Sequence, residues 1–426
     1  MPHSLIRFLF IFTSALGTSL FSQAEITWKD GLLKKGEACF GISRKAFVDI
    51  HAHVGCHGTK SSGEESGCIV GEALKGNFLK YYGIPVAFGM ADKILFKNDE
   101  DFFPRVSEKI RQSSCIQSAV LLALDGAYRA LDGSSLGADG EPKATEIDRS
   151  KVEYYVPNEW VASKVKAHEN LLWGASINPL RADWKKQIDL ALANGAVLIK
   201  LIPSIMGFTL DDPKHLPRLN AYYDYVAKVG LPLLIHVDDE GTFGKEHAGI
   251  GTFRLRHLLN RGVTVIVAHM SSRGVSFAPQ SGGMVLRDNY DQLMDLMKEK
   301  KFEGLLYADI SALPLVKSRE QDLCRALADL EILKGRLLWG SDYPLNHWAT
   351  TSYYSRSKFK CKNGIGWDKG VFNKWSALGS NVNQWDRGIL LQFESGVPEE
   401  LFQSTRKFLV QRKLVKLGSL GQLLKR

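Results

Sequence analysis

Short apolar runs recur along the chain, each bounded by turn residues and separated by longer stretches with apolar positions every three or four residues. Eight runs read as strands: Ala46–His51, Ser118–Leu124, Leu171–Ile177, Ala196–Leu201, Pro232–Val237, Val263–Ala268, Gly304–Ile310 and Arg336–Gly340. They are nearly continuous in hydrophobicity rather than alternating, the mark of strands covered on both faces in a parallel sheet. Between them Asn158–His168, Asp183–Ala193, Pro217–Val229, Arg254–Asn260, Arg287–Lys298 and Arg319–Leu333 carry helical spacing, with Asn194-Gly195 and Val229-Gly230 as stops. Strand-helix alternation repeated eight times predicts an α/β fold, a (β/α)8 TIM barrel. An open doubly wound sheet is the competitor, but no GxGxxG follows the first strand.

The alternation breaks twice. Val54–Ser114 is a long connection after strand 1, and Leu345–Gly396 follows strand 8. Both leave strand ends where barrel active sites are built, so both read as loops shaping a site. The tail Pro398–Lys416 reads as a helix, a candidate eighth barrel helix. Its Leu401, Phe408 and Val415 recur every seven residues, to pack on the barrel or, alternatively, to touch a membrane surface. The barrel core is expected at about 46–345, with an extension over 346–426.

Composition places the chain among folded proteins, at 45% hydrophobic and 24% charged. The N-terminus changes the expected compartment. Arg7 precedes the apolar stretch Phe8–Phe21, too short to span a bilayer, and Ser22-Gln23-Ala24 offers small residues for cleavage. Residues 1–24 therefore read as a secretory signal, leaving an exported chain, periplasmic or extracellular, from residue 25. No later run approaches a membrane helix. The six cysteines contain no CxxC pair, so neither a thioredoxin motif nor a zinc ribbon is supported. A Cys56–Cys68 link is open, with buried free thiols as the alternative. The net charge is +9, but from Leu345 onward there are 14 Lys and Arg against 5 Asp and Glu, so everything before sums to zero. That removes the case for a nucleic-acid partner. The basic aromatic run Tyr353, Tyr354, Arg356, Lys358, Lys360 and Lys362 reads as a solvated loop beside the barrel mouth, with an acidic partner as the alternative.

The candidate chemistry lies at strand ends. His51 and His53 are alternate residues and so share one face of the first strand. Lys200 is on strand 4, His236 ends strand 5, His269 follows strand 6 and Asp342 follows strand 8. The chain has only 11 histidines, and four of them fall at these ends.

HxH after strand 1, His after strands 5 and 6, and Asp after strand 8 resemble the metal-site pattern of the amidohydrolase superfamily. The strings DIHAH, LIHVDDEG, VAHMSS and GSDYP are most similar to its amidohydrolase-related branch, which includes aminocarboxymuconate-semialdehyde decarboxylase-like enzymes. The likeness spans Val48 to Leu345. It implies that His51, His53, His236 and Asp342 bind a divalent ion, zinc by preference, with one ion favoured and two allowed. It implies that Asp342 accepts a proton from water, and that His269 serves a second ion or acts on the reacting group as acid or base. Lys200 stands where two-metal members carry a bridging carbamate; as a plain cation it would instead meet a substrate carboxylate or a local acid. His57, Asp238, Asp239 and Glu240 are weaker candidates near the site, as are Asn178 and Arg181, the last for an anionic substrate or a salt bridge. Asp309 is expected to support the site from strand 7. The implied activity is hydrolysis of a C–N or an ester or lactone bond of a small substrate. The alternatives are decarboxylation of a carboxylated aromatic or dienoic acid, and a metal-free binding protein on the same barrel.

Overall fold

The computed structural model describes residues 39, 47–56, 58, 67–70, 99–132, 144–238, 251–313, 320–344, 359–361, 366–367, 383–394 and 396–415. One compact unit runs from Arg44 to Arg426, and of the residues before it only Cys39 is described.

Eight strands pair in parallel, in chain order: β1 Phe47–His53, β2 Ile116–Leu122, β3 Leu171–Ser176, β4 Ile199–Leu201, β5 Leu233–Ile235, β6 Val265–Val267, β7 Leu306–Asp309 and β8 Leu337–Leu338. The sheet closes on itself. Just beyond β8, Asp342 N–H donates to the His51 carbonyl at 2.8 Å, His53 N–H donates to the Tyr343 carbonyl at 2.8 Å, and Ala52 bridges Tyr343 in parallel. The fold is a (β/α)8 barrel, and all eight expected strands are in it.

Helices cover the outside: α1 Phe102–Gln112, α2 Asn158–Val165, α3 Trp184–Ala193, α4 Leu216–Val229, α5 Leu255–Leu259, α6 Asn289–Met297, α7 Glu320–Ala328, α8 Gln384–Glu394 and α9 Ser404–Gln411. Val48 and Ile50 of β1, Val120 and Leu122 of β2, and Leu338 of β8 share one buried cluster with Phe408 and Leu409 of α9. Burying each of those two α9 side chains stabilises by roughly 1.5–3 kcal/mol. The apolar face of the tail is therefore engaged by the barrel. No helix among the described residues is long and apolar enough to cross a membrane.

Three features depart from the expected pattern. The first long connection is not only loop, since α1 lies within it. The segment after β6 forms an antiparallel hairpin, Val275–Gln280 with Gly283–Asp288. That hairpin sets a later start for α6, because Asp288 ends the strand and its side chain accepts the Asp291 N–H at 3.1 Å as an N-cap. A disulfide joins Cys324 on α7 to Cys361, while Cys56 and Cys68 are buried thiols outside any disulfide.

Candidate metal centre

The floor of the site is set by β1. Val48 and Ile50 face the helix layer, so Asp49, His51 and His53 take the opposite side of the strand. Asp49 is fully buried and accepts hydrogen bonds from Ser341 N–H at 2.9 Å, Trp385 Nε1–H at 2.9 Å, His51 N–H at 3.0 Å and the Ser341 hydroxyl. Burial pushes its carboxyl up to about 6 in spite of these donors. Asp49 thus ties β1 to the turn after β8 and to α8. A Cβ at Gly340 would sit 2.9 Å from His51 Cβ and 3.3 Å from Ser311 Cβ, so the strands approach here as only glycine allows.

That approach brings Asp342 against the histidines. Asp342 Oδ1 lies 3.2 Å from His53 Nε2 and 3.8 Å from His51 Nε2. Ligand atoms of His51, His269 and Asp342, all buried, lie within 4.8 Å of one another. The His51 and His269 rings stack with centroids 4.9 Å apart. His269 and Asp342 both hold left-handed backbone, at φ 52° and φ 58°, and Met270 and Ser271 continue it at 56° and 49°. Non-glycine residues pay strain there, which persists only where the surroundings impose it.

Asp309 and Ser311, at the end of β7, orient the imidazoles. His51 Nδ1 lies 3.0 Å from Asp309 Oδ2 and 3.0 Å from Ser311 Oγ, and His269 Nδ1 lies 2.8 Å from the same hydroxyl and 2.9 Å from the Ser311 carbonyl. Asp309 also accepts the His269 N–H at 3.1 Å, the Ser311 N–H at 3.0 Å and the Ser311 hydroxyl. Burial alone would raise the Asp309 carboxyl, but His51 beside it holds it well below the usual range. An ionised Asp309 accepts only, so His51 Nδ1 carries the proton and Nε2 keeps its lone pair. Burial, then the charge of Lys200, lowers His51 itself to about 3 against the pull of Asp309. Burial likewise opposes ionisation of Asp342, but His269, His53 and His51 outweigh it and keep that carboxyl low.

This donor set fits a divalent ion. Ligands at about 2.0–2.1 Å around a tetrahedral ion stand roughly 3.3 Å apart, close to the spacings of Asp342 with both histidines of β1. His51 is held neutral, as metal ligation requires. The carboxylate behind His51 is the companion that metal-binding imidazoles commonly have.

The other expected residues divide. His236 is buried and its ring packs edge-on against His269, with centroids 5.1 Å apart, but its Nε2 lies 2.7 Å from Asp238 Oδ1. The tight group holds His51, His269 and Asp342, and His236 lies beside it against the His269 ring. Lys200 is fully buried with Nζ 3.0 Å from His51 Nε2, so its charge meets a ligand rather than the solvent mouth. Arg181 is not offered to an anion. It pairs with Asp125 at 3.3 Å and Asp183 at 2.9 Å and lies over the Tyr128 ring. Asn178 donates its side-chain amide to the carbonyls of Gly126 and Met206, both at 2.8 Å, which is a bracing role. Asp309 supports the site as expected, whereas Ser311, Asp49 and Trp385 were not foreseen. His57, Asp239, Glu240, Tyr353, Tyr354, Arg356, Lys358, Lys362 and the segment 1–24 lie outside the described residues.

No protein-family model matches the chain, and no curated protein does. Among solved structures the chain is similar to an uncharacterized TIM-barrel protein of Bordetella bronchiseptica, at 14% identity and TM-score 0.46, covering 86% of this chain and 98% of that one. It is similar to a Pseudomonas putida protein assigned as a 2-pyrone-4,6-dicarboxylic acid hydrolase, at 14% identity and TM-score 0.42, covering 87% and 98%. It is also similar to an amidohydrolase of Burkholderia multivorans, at 10% identity and TM-score 0.37, covering 83% and 99%. The barrel assignment rests on the strand order and the closing hydrogen bonds, not on these likenesses.

Proposed function

We propose that this chain is an exported, metal-dependent hydrolase of the amidohydrolase type, cleaving a C–N or an ester or lactone bond of a small substrate. One observation carries the reading: imidazoles from β1 and from the end of β6, and a carboxylate from beyond β8, converge in a buried cluster. His51, His53 and Asp342 hold the ion, zinc by the preference of nitrogen and carboxylate donors. His269, close to both His51 and Asp342, completes the set. When bound, the ion supplies a Lewis acid that makes water acidic enough to attack at neutral pH.

The chain's own groups do the rest. Asp342 is kept ionised by its histidine neighbours, so its carboxylate can accept a proton from attacking water. Asp309 and Ser311 fix the rings of His51 and His269, which removes reorganisation at the moment of reaction. His236, in edge contact with His269, stands within the same pocket as the further ligand that the strand-end pattern implies. Lys200 biases His51 toward its neutral form. Export is supported by the apolar N-terminal stretch and by the Cys324–Cys361 bridge, which suits an oxidising compartment. A mature N-terminus at Glu25 is its direct check, and a retained Met1 on the secreted protein would contradict it.

The functional test is elemental analysis of purified protein beside hydrolysis of amide, cyclic-amide, ester and lactone panels. The expected result is a bound divalent ion, hydrolysis lost in chelator and restored by zinc, and neither ion nor activity in His51→Ala. A metal-replete, active His51→Ala protein would sink the assignment. Carbon dioxide release from a carboxylated aromatic or dienoic acid, without hydrolysis, would replace it with the decarboxylase reading.

A further inference from the structure

Between β1 and β2 the chain makes a long excursion, and three points of it meet. Cys56 Sγ, Cys68 Sγ and a carboxylate oxygen of Asp99 lie within 4.8 Å of one another, and all three residues are buried. Neither sulfur is in a disulfide, in a chain that bridges Cys324 to Cys361. Gly58 N–H donates to Asp99 Oδ2 at 3.0 Å and fixes the carboxylate. The Tyr154 hydroxyl receives the Cys56 N–H at 2.6 Å and donates to the Cys56 carbonyl at 3.2 Å. The strand Ile69–Val70, directly after Cys68, pairs with Tyr154–Tyr155. Each ligand-bearing residue is thus anchored through its own backbone or a neighbour's.

We propose that Cys56, Cys68 and Asp99 form a second metal site, separate from the histidine cluster, that takes a borderline-soft divalent cation of the zinc type. Two sulfurs select against magnesium and calcium, which take oxygen donors, and favour zinc or its substitute cobalt. A disulfide would join the two sulfurs alone and leave Asp99 out. A cation uses all three groups. On binding, both thiols release their protons to solvent, two metal–thiolate bonds form, Asp99 contributes an oxygen, and a water completes the tetrahedron. The consequence is mechanical. Among the described residues of the excursion ahead of α1 there is only a two-residue strand and a short 3-10 helix, Asp99–Asp101. A cross-link at 56, 68 and 99 would hold it together, three residues beyond His53.

Cobalt reads this site alone, because the histidine cluster offers no sulfur and only thiolate ligands give sulfur-to-cobalt charge-transfer absorption in the near ultraviolet. The full chain with its Cys324–Cys361 disulfide intact, loaded with cobalt, is expected to show that band, to keep it in His51→Ala, and to lose it in Cys56→Ser and Cys68→Ser. Should the serine variants fail to fold, the wild-type protein still decides: zinc should block alkylation of both thiols and a chelator should expose them. Absence of the band in folded, cobalt-loaded protein overturns the proposal. So does a Cys56–Cys68 disulfide found by mass spectrometry in protein isolated without reductant and refractory to zinc loading after reduction. Loss of ion and activity in His51→Ala with the band intact separates this site from the proposed catalytic one.

Discussion

At the ends of β2 and β3, Asp125 accepts hydrogen bonds from Gly126 N–H at 3.1 Å, Tyr128 Oη–H at 2.9 Å and Asn178 N–H at 2.8 Å, and it pairs with Arg181. Every polar atom there points at a neighbour that completes it. At the ends of β1, β6 and beyond β8, ligand atoms of His51, His269 and Asp342 instead gather within 4.8 Å of one another. Both groups are buried, charged and set on the same barrel. One is closed by its own ion pair; the other, in the proposed reading, is open to an ion. The difference teaches that burial and charge do not mark chemistry; convergence of ligand-type atoms from separate strand ends does.

The largest expected effect breaks the open side. Asp342→Asn should lower kcat/KM by at least about 10³-fold, since it removes a proton acceptor and weakens ion binding at once. Circular dichroism should show the fold intact, and near-normal turnover would refute the role given to Asp342. The closed side should respond in the other currency. Arg181→Met leaves Asp125 buried without its partner and should cost about 3–5 kcal/mol in denaturant unfolding, while the ion content stays that of wild type. Loss of the ion in that variant would merge the two regions. The smallest effect concerns Lys200, which touches the open group without completing it. Lys200→Met should leave one ion bound, with a dissociation constant within about tenfold, or ~1.4 kcal/mol, of the original. Competition with a chromophoric chelator measures this, and a lost ion would make the lysine, or its carbamate, a ligand.

The strands were legible because parallel strands are buried on both sides, so runs such as VTVIVA carry no competing helical period. His51 and His53 were legible because alternate positions share a face. The helix α1 was hidden in FFPRVSEKIRQ by Pro104, which reads as a break but falls within the first turn, where no helical N–H is needed. The hairpin after β6 was hidden because its strands are largely exposed, with Phe277, Met284 and Leu286 outward, and its second strand runs into the helical pattern of α6. Ser311 was illegible for a different reason: its hydroxyl matters only through Asp309, His51 and His269, three partners that a local pattern cannot bring together. The place of His236 beside the tight group, in edge contact with His269, is likewise a matter of side-chain packing that no local pattern records.

The seam between β1 and β8 has a consequence in time. Asp49 and Ser341, which lock it, are separated by 292 positions, and His51 and Asp342 meet across it. During synthesis the two halves of the centre emerge at opposite ends of the job, and a contact of such range is among the last to form. No nascent or truncated chain that stops short of the eighth strand can assemble the cluster. If the proposed ion is bound, its capture would double as a signal that the ring is shut, and a cell exporting the chain unfolded would hand it over unable to hold that ion until it has arrived.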